Sequence, residues 1–277
     1  LKSLQFIAGW TSKDERTALR FNLFTGTERT EQAWNGVPQD SLATNRKFNG
    51  LGLKADGTYY NDQTDNYQQD YYQLFFDHKF DEHWSAHVAL FLTRGKGFYN
   101  EYRLGEAFAY YNLPDYTTPK GDTFTTTNFT RRLWLDNYYY GGIYSVSYQK
   151  NKTQLILGGA YTRYDGKHYG FVTWADYGVP VDYRWYNLTS FKGDFNIYAK
   201  LQQQVGEHFY VFGDLQYRMV QYEINGFRKN PTLMPRADFN FFNPKAGLSY
   251  IVSHANNAES KAYVSFAVAN KGPNRDH

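Results

Sequence analysis

The chain has 277 residues, no cysteine and a formal net charge of +3, and it carries 27 Tyr, 22 Phe and 6 Trp at a mean hydropathy of −0.70. The absence of cysteine removes disulfide frameworks, thiolate zinc sites and cysteine nucleophiles, and the small, dispersed charge gives no sign of a nucleic-acid partner. No apolar run approaches the roughly 18 residues of a membrane helix, the run 88–92 being among the longest, and the wealth of aromatic and β-branched residues excludes a disordered chain.

Period-two alternation governs what remains. Leu4, Phe6, Ala8 and Trp10 predict a first strand, a polar turn follows at 12–15, and Leu19, Phe21 and Leu23 predict a second. After a long stretch to Tyr67 come Tyr72, Leu74 and Phe76, a short turn at 81–83, and then Trp84, Ala86, Val88, Leu90 and Leu92. A long stretch, 94–137, leads to Tyr144, Val146 and Tyr148; the turn 151–152 leads to Leu155, Leu157 and Tyr161. The long stretch 165–192 precedes Phe195, Ile197 and Leu201, and the turn 206–208 precedes Val211, Leu215 and Tyr217. The stretch 224–240 then leads to Ala246, Leu248 and Tyr250, and a modest turn at 253–260 to Ala262, Val264, Phe266 and Val268. The opposite parity holds Ser3, Gln5, Arg20, Asn22, Ser145, Ser147, Gln154, Asn196, Lys200, Asp214, Gln216 and Arg218. These are about ten strands of a sheet with one apolar and one polar face, and no helical period competes.

Connections of about 31 residues alternate strictly with connections of about 4, an asymmetry that soluble sandwiches do not have and membrane barrels do. The expected fold is therefore all-β: an antiparallel transmembrane β-barrel with short periplasmic turns and long extracellular loops, in the bacterial outer membrane. Leu19, Phe21, Val88, Leu90 and Leu215 should face lipid; Arg20, Lys200, Asp214, Gln216 and Arg218 should face the lumen. Phe80, Trp84, Phe209 and Tyr210 beside the short turns, and Tyr67, Tyr71, Tyr72, Tyr138, Tyr139 and Tyr140 beside the long loops, are candidates for the interfacial girdles. The polar stretch 269–277 reads as the start of another long loop rather than a closing strand, and an open sheet edge in lipid is costly. Residues 1–277 are thus expected to be a partial barrel domain. Two alternatives stay open. A complete ten-stranded barrel enzyme or adhesin requires first-to-last strand pairing and a carboxylate or His cluster at the rim. A secreted carbohydrate-binding β-protein requires a buried apolar face.

Several stretches resemble TonB-dependent outer-membrane receptors. These are 28–38 (ERTEQAWNGVP), 64–70 (TDNYQQD), 93–99 (TRGKGFY), 131–137 (RRLWLDN), 212–218 (FGDLQYR), 241–248 (FFNPKAGL), 267–270 (AVAN) and 273–276 (PNRD). Each is weak alone; their order and spacing along nearly the whole chain are the specific part. The resemblance implies about ten strands of a 22-stranded plugged barrel, with the plug domain absent from this sequence. It implies import of a scarce nutrient such as a siderophore, cobalamin, saccharide or peptide, coupling to the inner-membrane energy transducer TonB through the plug, no catalysis and no cofactor. A surface lipoprotein over the loops is a partner the resemblance admits.

Other constellations carry less. Gly95-Lys96-Gly97 lacks the following helix a phosphate loop needs. His83 and His87 would lie about 13 Å apart on a strand, too far for one metal. Asp62, Asp65 and Asp70 lack the register of a calcium loop. No G-x-S-x-G nucleophile elbow occurs, and no Ser/His/Asp arrangement stands out. Ring-and-arginine clusters in the long stretches are the candidate ligand contacts, because aromatics give flat contact area and Arg gives bidentate hydrogen bonds. They are Trp34; Tyr99, Tyr102 and Arg103; Arg131, Arg132 and Trp134; His168 and Trp174; Arg184 and Trp185.

Overall fold

The structure is a computed structural model that describes residues 1–255 and 258–272. In chain order the strands are β1 (Lys2–Thr11), β2 (Thr17–Glu31), β3 (Thr64–Lys79), β4 (Trp84–Ala107), β5 (Tyr116–Thr117) and β6 (Thr123–Phe124). Then come β7 (Thr126–Lys150), β8 (Thr153–Ala175), β9 (Tyr183–Val205), β10 (Phe209–Asn225), β11 (Arg236–Ala255) and β12 (Ala258–Ala267). All but the small β5–β6 hairpin form one antiparallel sheet in the order β1-β2-β3-β4-β7-β8-β9-β10-β11-β12. Among the described residues no ladder joins β1 to β12, so both remain sheet edges. The turn after β11 and the residues 273–277, with the PNRD stretch, lie outside the described residues.

Register explains the alternation. Phe6, Leu23, Tyr72, Leu92 and Tyr140 lie in one row across β1, β2, β3, β4 and β7. Leu19, Phe76, Val88 and Tyr144 lie in a parallel row, and Leu157, Ala199 and Leu215 continue the same face across β8, β9 and β10. Leu90, Leu157, Ile197 and Leu215 are about half exposed, and so are many others on this face. Apolar surface this extensive has no stable arrangement in water; it calls for an apolar solvent. At about 3.4 Å per residue and a tilt near 40°, the stretch from Trp84 to Leu92 rises about 20 Å, close to the roughly 25 Å apolar band of membrane barrels. Trp84 packs on Tyr148 at 4.7 Å and Phe209 on Tyr250 at 4.8 Å along the short-turn edge of this band.

The opposite face holds Arg20, Asn196 and Arg218 in one row and Lys200, Asp214 and Lys245 in another. The two sets of residues expected to face apart do so. Among the girdle candidates the parity divides the upper set: Tyr72, Tyr138 and Tyr140 share the apolar face, whereas Tyr67, Tyr71 and Tyr139 share the polar one.

The chief difference from the sequence reading lies in the long connections. Strands β4, β7, β8 and β9 run for 23 to 25 residues. The connections themselves shrink to 32–63, 108–125, 176–182 and 226–235. The strand tops hide from the periodicity because their outer side leaves the apolar band and turns polar, while their inner side becomes buried under loops. The apolar parity thus switches faces. A 3-10 turn (Phe108–Tyr111) covers the inner side of β7 and builds the core that Phe108, Tyr111, Phe129, Leu133, Val172 and Trp185 share.

Candidate functional site

The inner face beside the long connections gathers side chains from five segments. In β4, the odd residues share the parity of Ala89 and face inward, which sets Tyr99 there. Trp34, from the connection after β2, meets the Tyr99 ring edge-on at 5.1 Å. In β9, Tyr186 pairs with Gly170 and Arg184 with Phe171, so Trp185 is the extra residue of a bulge. Bulges re-aim side chains, and here the indole turns into the core, 5.1 Å from Tyr111 and 4.8 Å from Tyr186. From the connection after β10, the exposed Arg228 guanidinium comes close enough to Tyr99 and Tyr186 to act electrostatically on both hydroxyls. Trp34, Tyr99, Tyr186 and Arg228 therefore form an aromatic wall with an exposed cation at its edge.

Beneath this wall the charge is fully paired. Arg131 donates to Glu101 at 2.7 Å and to the Tyr111 hydroxyl at 2.7 Å, and the Tyr111 hydroxyl donates to Glu106 at 3.0 Å. Burial pushes the Tyr111 phenol well above its ordinary pKa, so it stays a neutral donor. A second network fixes the connection after β2: Gln32 donates to the Thr64 and Asn100 carbonyls and accepts from Gln63 at 2.7 Å. Gln32 is 1% exposed, which makes this anchor rather than ligand contact.

Sequence reasoning put its eleven candidates in long loops. The structure moves all but Trp34 onto strand tops, and the strands' alternation separates them. Tyr99, Arg131, His168 and Trp185 belong to the inner side, the last two in half-buried and buried positions. Arg131 and Trp185 serve the core. Arg132, Trp134 and Arg184 belong to the outer side: Trp134 packs on Phe98 at 4.6 Å and stacks on Tyr169 at 5.7 Å. Arg132 lies over Phe98 at 4.2 Å and Arg184 over Phe171 at 4.9 Å. Tyr102 packs near Tyr60, Arg103 is ion-paired to Glu106 at 2.8 Å, and Trp174 is exposed at the end of β8. Arg228 and Tyr186 were missed. Arg228 sits beside Lys229 and Tyr186 beside Trp185, and nothing in either stretch marks which neighbour reaches the inner face. Of the acids in 62–70, Asp62 pairs with Arg29 at 3.1 Å and accepts from Asn100, and Asp70 accepts from Thr25 and Gln68.

No protein-family model matches the chain, and no curated protein does. Solved structures do. The open form of the ferric-catecholate import receptor Fiu from E. coli K12 superposes at TM-score 0.61 with 15% identity, covering 98% of this chain and 47% of Fiu. The ferric preacinetobactin receptor BauA from Acinetobacter baumannii gives 0.55 at 11% identity, covering 94% and 39%. The outer membrane transporter YddB from Escherichia coli gives 0.55 at 11%, covering 96% and 33%. The chain spans less than half the length of each. At such identities the likeness concerns the fold, and it agrees with the register: this chain has the fold of a ten-stranded section of the β-barrel wall of outer-membrane siderophore receptors.

Proposed function

We propose that this chain is part of a TonB-dependent receptor of the Gram-negative outer membrane, and that its inner-face aromatic wall captures a ferric siderophore on the way to the periplasm. The observation that carries the reading is the convergence of Trp34, Tyr99, Tyr186 and Arg228 on the loop-covered end of the polar face. Ferric chelates of catecholate type are anionic and ring-rich. Aromatic faces supply contact area at low entropic cost, and a guanidinium supplies charge-assisted hydrogen bonds. The names of Fiu and BauA, both ferric-siderophore receptors in fold and description, support this cargo over cobalamin, saccharide or peptide.

In this reading the barrel is passive. The apolar face meets lipid, the polar face lines the lumen, and Lys200, Asp214, Lys245, Asp194 and Arg218 face the plug. The open edges β1 and β12 carry unpaired backbone groups, each costing several kcal/mol in hydrocarbon, so further strands of the same barrel pair with them. Release from a tight site needs work, which the transducer TonB supplies through the plug.

The test is tryptophan fluorescence quenching of the full-length receptor by a ferric tris-catecholate. Arg228→Ala and Tyr99→Ala should each weaken binding about tenfold or more, as expected for losing a hydrogen bond to a charged ligand. Unchanged affinity in both variants, or saturable binding of a maltooligosaccharide or cobalamin in place of the chelate, overturns the reading.

A further inference from the structure

Two of the short turns repeat one motif. The chain turns at 81–83 before β4 and at 206–208 before β10, and both turns end in Glu-His ahead of an aromatic residue: Glu82-His83-Trp84 and Glu207-His208-Phe209. The geometry repeats with the motif. Trp84 pairs with Tyr148, and Phe209 pairs with Tyr250. Each tyrosine ring packs on that aromatic, at 4.7 Å and 46° in the first turn and at 4.8 Å and 51° in the second. Each also stacks on the histidine, at 6.2 Å and 21° and at 5.7 Å and 28°. The amide that follows the tyrosine, of Gln149 or of Ile251, donates to the histidine carbonyl at 2.8 Å. The turns 12–16 and 151–152 lack the motif.

Position and charge select the occupant. Trp84 and Tyr148 share the parity of Val88, and Phe209 and Tyr250 that of Val211, so both modules face the surroundings of the barrel rather than its lumen. They close the short-turn end of the apolar band, and each histidine lies one residue beyond it, in the headgroup layer of about 5–8 Å that borders the hydrocarbon. Glu82 stands 3.6 Å from His83, and both Glu82 and Glu207 are exposed. Among the described residues no lysine or arginine pairs with either carboxylate. Each module thus sets an imidazole donor and a carboxylate side by side at the edge of an aromatic pair. Lys152 donates to the Gly206 carbonyl at 2.7 Å and adds an ammonium beside the second module. A headgroup with negative charge alone is repelled by the carboxylate. One that joins a phosphate to a primary ammonium satisfies both groups.

We infer that the two Glu-His-aromatic modules are headgroup sites for a zwitterionic aminophospholipid of the periplasmic-side leaflet. The imidazole donates to its phosphate, the carboxylate accepts from its primary ammonium, and the ring pair packs on its glycerol and first methylenes. The sites are separate from the inner aromatic wall, and they rest on the outer-membrane reading above. They give this edge a chemical preference among lipids, whereas interfacial rings by themselves select only depth.

Native mass spectrometry of the full-length receptor in detergent tests it, with phosphatidylethanolamine and phosphatidylglycerol of identical acyl chains as the probes. The wild type should retain phosphatidylethanolamine more strongly. Glu82→Gln with Glu207→Gln should lower that retention about threefold or more and leave phosphatidylglycerol no weaker, because only the ammonium loses its partner. His83→Phe with His208→Phe keeps stacking rings, removes the donor to phosphate and should weaken both lipids. Equal retention of the two lipids by the wild type overturns the proposal, and so does retention that either pair of substitutions leaves unchanged. Soluble glycerophosphoethanolamine bound as tightly as the whole lipid overturns it as well, since the ring pair would then have no lipid to hold. Heat-modifiable electrophoretic migration reports the fold. Should a paired variant not fold, Glu207→Gln alone must lower phosphatidylethanolamine retention, while Glu207→Asp keeps it. A wild type that never forms a heat-modifiable barrel contradicts the outer-membrane reading itself, an outcome distinct from loss of lipid preference alone.

Discussion

Arg131 donates to Glu101 across 2.7 Å, and both residues are more than nine-tenths buried. Glu106 stands 3.8 Å from the same guanidinium and accepts from Tyr111. The pair therefore pins the 3-10 turn Phe108–Tyr111, and the connection it opens, to the inner wall. Removing one partner of a buried pair leaves a bare charge, which costs about 3–5 kcal/mol. Arg131→Met should free the connection 108–125, seen as faster amide exchange and early proteolysis there with the strands of the apolar band still protected. Adding Glu101→Leu should restore most of the protection, because replacing both partners by apolar groups avoids the bare charge.

The assignment of faces predicts an asymmetry between neighbours on paired strands. Leu90 shares the apolar face with Leu74, while Gln73 beside it shares the polar face with Asn22. Leu90→Arg sets a charge near the middle of the band and should cost about 2–4 kcal/mol in urea unfolding from liposomes. Gln73→Arg, toward water and polar groups, should change stability by about 0.5 kcal/mol or less. The reverse order would mean that the apolar face is the lumenal one.

The band was legible because alternation is loudest where one face meets lipid and the other does not. Leu19, Val88, Leu90 and Leu215 announce their side by their neighbours' polarity. Tyr99, Arg131 and Trp134 do not, since above the band both faces are mixed, and a strand there looks like a loop. Trp185 stood out as a ring beside Arg184, but its place in the core could not be read: its inward turn depends on a bulge, and nothing in its neighbours marks one. Arg228 becomes part of the site only because the sheet curls far enough to bring the connection after β10 over β4 and β9.

Two glycines of β4 illustrate a close approach that substitution should disturb. Tyr67 of β3 pairs with Gly97, and its ring covers both Gly95 and Gly97. A Cβ at Gly97 would sit 2.3 Å from the Asn66 carbonyl oxygen and 2.4 Å from a Tyr67 ring carbon. Backbone and ring must both give way, so Gly97→Ala should cost about 1–3 kcal/mol, the usual range for overpacking. Thermal unfolding should show the loss, and Tyr67→Ala in the same chain should recover part of it by removing the ring from the collision.

The short turn between β3 and β4 gives a pH signature. Asp81 accepts the His83 amide at 2.7 Å and the Trp84 amide at 2.8 Å, and these bonds, the His83 one first, hold its carboxyl below the usual carboxylate range. The ionised form is the one that accepts both, so the folded turn releases the proton more readily than the unfolded chain does. Its contribution is complete above the unfolded pKa of about 4 and is lost as pH falls through the lower folded value. After correction for intrinsic rates, exchange at the His83 and Trp84 amides should be flat from about pH 8 to 5 and accelerate below about pH 4. In Asp81→Ala the two amides should exchange fast at every pH, with no acid step left. A step that survives the substitution would assign it to another group, and Asp14, bonded to the Ser12 hydroxyl and the Arg16 amide in the turn after β1, is the neighbour to change next.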